Sequence, residues 1–264
     1  MLPTTASKPT NKEYIANAFS KAAHCYDRHA QFQRDVADIL LANIPDNLAG
    51  KRILDLGCGT GYVAKALLER GAHVTCVDIS EGMLQVAEKM LGTQQVSYLC
   101  ADAEQLPIPD GTFDYVTSSL ALQWCEDLSR PMTEIKRVLK SDGTAYFSTL
   151  LDGSLDELRW SWAQVDRHQH VNVFKSLKRV KLALAQSDIE NHQLDLRRIT
   201  VWYESAIALM KDLKGIGATH VNNRDNGLVS RNALCAVERE YQRFQNSAGL
   251  LPATYQVCIG VIRQ

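Results

Sequence analysis

Two rhythms alternate along this chain. From Arg52 onward, short apolar runs give way repeatedly to windows in which apolar residues recur at helical spacing. RILDL precedes a window through Ala64, Leu67 and Leu68 that Gly71 stops, and HVTCV precedes one through Leu84 and Ala87. VSYLC, FDYVTSS and TAYFSTL extend the series, with a helix near 132–139 that Ser129 can cap. Strands alternating with helices predict a parallel sheet covered on both faces.

Upstream, Ile15, Phe19, Ala22 and Tyr26 recur at helix spacing, and Phe32, Val36, Ile39 and Leu40 repeat the pattern before Pro45 and Asp46 interrupt it. Two leading helices are expected there. Downstream, SLDE at 154–157 reads as a capping box, and Leu155, Leu158, Trp162 and Val165 form the apolar face of a helix inserted after the fifth strand. LKGIGATH at 213–220 ends another helical window in a glycine-rich turn, and TYQVCIGVI near the C-terminus alternates well enough to close the sheet.

With 264 residues and an apolar fraction of 45%, the chain suits one α/β domain with an appended subdomain. The expected division is a disordered tail at 1–11, then one domain at 12–264. Within it, 12–49 form a helical lid, 50–150 a core, 151–249 insertions and a cap, and 250–264 a final strand. A net charge of −1 gives no reason to expect nucleic acid or a membrane surface as partner. Seven scattered cysteines without a CxxC pair point to reduced thiols, and no apolar run reads as a signal peptide or span, so a cytoplasmic location is expected. No metal is expected; His168 and His170 lack further ligands.

Candidate chemistry gathers at the strand ends, where sheets of this kind bind ligands. In ILDLGCGTG, Gly57, Gly59 and Gly61 give GxGxG rather than the GxGxxG of dinucleotide folds, with Asp55 just ahead. Glycines there permit a tight turn and close approach of a ligand to the main chain. Asp55 suits an ammonium group better than a pyrophosphate. Asp78 ends the second strand and can accept both hydroxyls of a ribose; Asp102 ends the third, where it can accept an adenine amino group, with Met83 against the ring. Ser118 to Leu120 follow at the fourth. In register, these features describe a pocket for an amino acid joined to adenosine.

LDLGCGTG, VDIS at 77–80 and ADAEQLP with FDYV downstream resemble the class I S-adenosylmethionine-dependent methyltransferases over roughly 50–150. The resemblance implies a Rossmann-like α/β fold: a mostly parallel seven-stranded sheet with helices on both faces, plus N-terminal helices and helical insertions forming a lid. It implies S-adenosylmethionine as cofactor, S-adenosylhomocysteine as product, and cofactor contacts at Asp55, Gly57, Cys58, Gly59, Gly61, Asp78, Ile79, Met83, Asp102, Ala103, Ser118 and Leu120. Beyond that core, AFSKAAHCYDRHAQFQ, SLALQW, STLLDGSLDEL and LKGIGATH resemble the malonyl-acyl-carrier-protein O-methyltransferases of biotin synthesis. This wider resemblance implies methylation of the free carboxylate of a malonyl thioester carried by acyl carrier protein or coenzyme A. A quinone-type C-methyltransferase and a non-catalytic S-adenosylmethionine-binding protein are the alternatives.

A carboxylate is ionised near neutral pH and needs no general base. The site must instead exclude water and hold oxygen, methyl and sulfur in line. Tyr14, Phe19, Tyr26 and Trp124 are candidates for the enclosure. Lys214 and His220, with Arg28 and Gln123 behind them, are candidate donors to the second carboxylate oxygen. Lys175, Lys178, Arg179 and Lys181, with Arg197 and Arg198, offer a basic surface for an acidic carrier. The leading helices are expected to order over bound cofactor.

Overall fold

The computed structural model describes residues 11–218 and 230–264. Strands β1 (Arg52–Leu56), β2 (His73–Asp78), β3 (Val96–Cys100), β4 (Phe113–Ser119), β5 (Leu139–Leu150), β6 (His192–Tyr203) and β7 (Leu251–Arg263) form one seven-stranded sheet, ordered β3-β2-β1-β4-β5-β7-β6. Pairings from β3 across to β5 are parallel, and β7 runs antiparallel to both its neighbours. The chain steps from β1 outward to β3 and returns to β4 beside β1. That reversal opens a crevice at the carboxyl ends of β1 and β4.

Helices α4 (Tyr62–Glu69) and α5 (Glu81–Leu91) follow β1 and β2, and α6 (Ser129–Val138) precedes β5. Strand alternation sorts the core into two layers. Ile53, Val74 and Cys76 face one way, onto Leu67 and the apolar stripe of the leading helices. Leu54, Val77 and Val116 face the other, onto Met132, Ile135 and Val138 of α6 and Val180 and Leu184 of α8 (Leu177–Gln186). Each such fully buried side chain contributes roughly 1.5–3 kcal/mol.

The leading segment departs from expectation. The run from Ile15 to Tyr26 is not one helix: α1 (Asn11–Ala22) stops, the chain turns through 23–25, and α2 (Tyr26–His29) restarts before α3 (Gln31–Leu41). Cys25 holds the turn, its thiol donating back to Ala22 O at 3.3 Å and across to Gly215 O at 3.6 Å. The break redirects Tyr26 towards the crevice. Asn11, assigned to the tail by its composition, is already helical; the rest of that tail lies outside the described residues.

Both expected caps are also replaced. Leu128, not Ser129, holds the cap position of α6, and Asp127 before it accepts through Oδ1 from Ser129 N at 3.0 Å and Ser129 Oγ at 2.7 Å. Leu155, left-handed at φ 56°, separates Ser154 from α7 (Asp156–Ala163) and removes it from capping position. Ser154 instead donates to Leu151 O and accepts from Gln256 N, while Glu157 accepts from Thr254 N, so the SLDE stretch fastens α7 to β7. β6, α9 (Ala206–Gly215) and α10 (Arg231–Tyr241) complete the described insertions, and among the described helices none is long and apolar enough to cross a membrane.

Candidate active site

β1 ends and the chain turns immediately, with φ of 74° at Gly57 and 54° at Gly59. Gly57 N and Cys58 N both donate to Val77 O, at 2.7 and 3.0 Å, which pins the loop over the end of β2. A Cβ at Gly57 would lie 2.2 Å from Ala121 Cβ, so only glycine lets the segment after β4 close against the loop. A Cβ at Gly59 would meet nothing within 4 Å. Bare backbone there faces the crevice.

Asp78 sits beside this loop, Oδ2 accepting from Gly59 N at 2.9 Å and Oδ1 from Ser80 N at 2.8 Å. Burial raises its pKa and the backbone donors oppose the rise. Each oxygen keeps further lone pairs for a ligand. Asp102 pairs with Lys12 Nζ of α1 at 2.5 Å, and the same ammonium reaches Glu104 Oε2 at 3.0 Å. Burial pulls the Lys12 pKa down, but the hydrogen bonds and charges of the two carboxylates outweigh it and raise it. Lys12 thus ties α1 to the segment that follows β3.

Asp55 lies under the loop rather than on the crevice wall. Its Oδ1 accepts from Thr117 Oγ1 at 3.1 Å, and Oδ2 is buried without a partner. Burial pushes its carboxyl up to about 7 against the Thr117 hydrogen bond.

These groups surround a cavity of about 770 Å³ walled by Gly57, Gly59, Asp78, Ile79, Met83, Asp102, Ala103, Leu120, Trp124, Tyr26, Phe19 and Lys12, among others. Open backbone at Gly59, carboxylates at two strand ends and the apolar flank of Ile79 and Met83 fit an adenosine bearing a cationic amino-acid tail. Cys125, also on the wall, has its thiol pushed up to about 12 by burial, then by Glu104 and Asp102. It supplies no thiolate.

A second cavity, of about 700 Å³, shares Phe19, Tyr26, Leu120 and Trp124 with the first. Phe19 and Trp124 meet edge to face at 5.2 Å, and Leu120 is held at φ 49° by hydrogen bonds from its N–H to Ser148. A strained residue thus stands at the junction. Phe32, stacked on Tyr255 at 3.9 Å, Phe174 and Leu155 line the far walls, with the polar side chains of Gln33, Gln123, His170 and Asn172. His170 stacks on Trp162 at 3.6 Å and holds Asp166 through Nε2 at 2.8 and 3.0 Å.

Comparison with known proteins bears directly on this arrangement. The chain is 42% identical over 260 residues to a malonyl-[acyl-carrier protein] O-methyltransferase of Serratia marcescens, covering 98% of both. This chain belongs to the malonyl-[acyl-carrier protein] O-methyltransferase family. It is also 39% identical to the biotin biosynthesis bifunctional protein BioHC of Saccharophagus degradans, covering 94% of this chain and 46% of that one. The methyltransferase domain family matches residues 54–147. A phosphoethanolamine N-methyltransferase of Haemonchus contortus, solved with S-adenosyl-L-methionine, shares the fold at TM-score 0.63 and 17% identity, over 98% of this chain and 60% of that one.

Of the residues singled out by resemblance to this family, Gly57, Gly59, Asp78, Ile79, Met83, Asp102, Ala103, Leu120, Tyr26 and Trp124 line the first cavity. Gln123 lines the second, its amide donating to Leu120 O at 2.6 Å. Four others stand off the wall. Asp55 and Cys58 are buried below the loop, and Gly61 begins α4. Ser118 shares the parity of Val116 and faces the α6 layer, so Ser119 borders the cavity in its place. Lys214 lies outside, in a groove with Tyr14, Lys21 and Lys211, and Arg28 is exposed. None of these reaches the second cavity's wall. His220 lies outside the described residues. The sequence singles out neither Lys12 nor Gln33 and raises His170 only as a metal ligand; the i, i+4 spacing of Asp166 and His170 offers a signal for their contact.

Proposed function

We propose that this chain transfers the methyl group of S-adenosylmethionine to the free carboxylate of a malonyl thioester, malonyl-acyl carrier protein, releasing S-adenosylhomocysteine, as a step of biotin synthesis. The observation that carries this reading is the junction of the two cavities at Phe19, Tyr26, Leu120 and Trp124, in a chain similar over its length to the Serratia enzyme. Asp78, Asp102 and the loop at Gly59 hold the cofactor, which supplies an electrophilic methyl on a sulfonium.

The acceptor needs no base, so what the residues contribute is alignment and exclusion of water. Phe19 and Trp124 pack edge to face where acceptor and donor meet. Burial, then the nearby Asp78 charge, raises the Tyr26 phenol above its ordinary range, so it remains a neutral donor at the junction. Carboxylate and sulfonium lose their opposite charges as the methyl moves, and a dry apolar wall favours that change over separated hydrated ions.

A slot bounded by Asn11, Gln123, Trp124, Cys125, Val173 and Lys175, among others, borders both cavities. We assign it as the entrance for the thioester arm, beside exposed Lys178, Arg179 and Lys181 of α8, where an acidic carrier docks. Lys175 is drawn inward, donating to Cys125 O at 2.6 Å. Arg197 and Arg198 belong instead to edge strand β6, with Arg197 held by Asp195.

Mass spectrometry of malonyl-acyl carrier protein incubated with this protein and S-adenosylmethionine tests the reading, with malonyl-coenzyme A and an acetylated carrier alongside. The expected result is a gain of one methylene on the malonyl species alone, removed by mild ester hydrolysis. No gain while S-adenosylhomocysteine still binds would overturn it, and a gain that survives hydrolysis would move it to carbon methylation.

A further inference from the structure

Among the described residues, four side-chain atoms are buried without a hydrogen-bond partner: Gln33 Oε1, Asp55 Oδ2, Ser118 Oγ and Arg159 Nε. Of these residues only Gln33 lines the second cavity. Two other polar side chains there are committed, Gln123 to Leu120 O and His170 to Asp166. Gln33 stands in the first turn of α3, next to Phe32, whose ring is fixed by stacking on Tyr255. A buried amide oxygen left unpaired costs about 1–3 kcal/mol, which a stability-driven core does not retain at a site where leucine has similar volume.

We infer that Gln33 is a substrate-binding residue: its carboxamide contacts an acceptor oxygen of the malonyl unit. The inference rests on the function proposed above. A 180° turn of the amide interchanges Oε1 and Nε2, so the carboxamide of this cavity-lining residue can offer an N–H donor from either position. The malonyl unit brings oxygens that only accept: the carboxylate oxygen not being methylated and the thioester carbonyl. Either oxygen, desolvated among aromatic rings, needs a donor. Of the donors expected for this task, Lys214 and Arg28 do not line this cavity, Gln123 lines it but gives its amide N–H to Leu120 O, and His220 lies outside the described residues.

Two measurements are expected to move in opposite directions. Gln33→Leu removes an unpaired amide from the empty protein and a donor from the complex. Expected are a thermal midpoint at or above that of the unaltered protein, an S-adenosylhomocysteine Kd within twofold, and a KM for malonyl-acyl carrier protein raised tenfold or more. Gln33→Glu, which places an anion against the substrate, is expected to raise KM further. Inhibition by an acetylated carrier separates the two oxygens: weakening there as well assigns the thioester carbonyl, and unchanged inhibition assigns the carboxylate. An unchanged KM in Gln33→Leu, or a lowered midpoint revealing a structural role, would overturn the inference. Absence of methylation by the unaltered protein would instead overturn the proposed function.

Discussion

Gly215 of α9 packs directly on the imidazole of His29: a Cβ built on Gly215 would lie 2.2 Å from His29 Cδ2 and 2.3 Å from Cγ. The ring cannot simply swing away, because Nδ1 is held by Asp212 Oδ1 at 2.7 Å. This contact, with Cys25 Sγ reaching Gly215 O, seats the leading helices against the insertion. Gly215→Ala is expected to lower stability by about 1–3 kcal/mol and to increase protease cleavage around 11–30. Adding His29→Ala, which opens the space, should restore most of the resistance. A Gly215→Ala protein as resistant as the original would remove this contact from the account of how the helices are seated.

Glu104 is nearly fully buried, at 2% side-chain exposure, and Lys12 is the cation closest to it. Lys12→Met leaves that carboxylate with Arg130 at 3.9 Å and the backbone N–H groups of Glu126 and Asp127. A loss of about 1–3 kcal/mol is expected in urea unfolding, and Glu104→Gln in the same chain should recover part of it. Strict additivity of the two substitutions would show that the pair does not couple.

Asp78 accepts from the loop and from the turn into α5, and is assigned here to the cofactor's ribose. Asp78→Asn keeps the size but sets an NH₂ against Gly59 N or Ser80 N. The Kd for S-adenosylhomocysteine, measured by calorimetry, should rise roughly 10- to 100-fold. An unchanged Kd would dissociate Asp78 from cofactor binding.

Asp55 gives the protein a pH dependence of definite sign. Its folded pKa of about 7 lies above the ordinary carboxylate value near 3.8. Between those values the native state keeps a proton that the unfolded chain has released, so this group's contribution to stability falls as pH rises through that window. Above it, the full penalty remains. Asp55→Asn should therefore gain stability relative to the unaltered protein between pH 4 and 7, on the order of a few kcal/mol. A constant difference between the two midpoints over that range would contradict the raised pKa.

Much of the cofactor side was legible because glycines and acids at strand ends follow from backbone geometry that neighbouring residues already encode. Gly57, Gly59, Asp78 and Asp102 needed only the strand boundaries. Ser118 shows the limit: a strand alternates every residue, so a shift of one position turns a side chain from the cavity to the opposite layer. β6 was not located because most of HQLDLRRITVWY is exposed, and the alternation of Ile199, Val201 and Tyr203 in its last part, which pack partly buried against the core, is too short to read as a period. Lys214 was drawn into the site by its motif, whereas the motif's glycine is what the fold uses, against His29. The acceptor side was harder still. Gln33 and His170 come from separate elements, and only tertiary packing brings them to one wall.

The order of the sheet also constrains how the chain comes into being. β6 is synthesised well before β7, yet every ladder hydrogen bond it makes is to β7, which slots between it and β5. Until β7 arrives, β5 presents an open flank and β6 has no sheet to join. Gly260, halfway along the β5–β7 ladder, leaves its space to the ring of Phe147, so the late strand must enter in register against a wall already formed. Assembly of the sheet therefore closes inward, and the chain carries open strand edges, prone to aggregation, until β7 pairs with both neighbours.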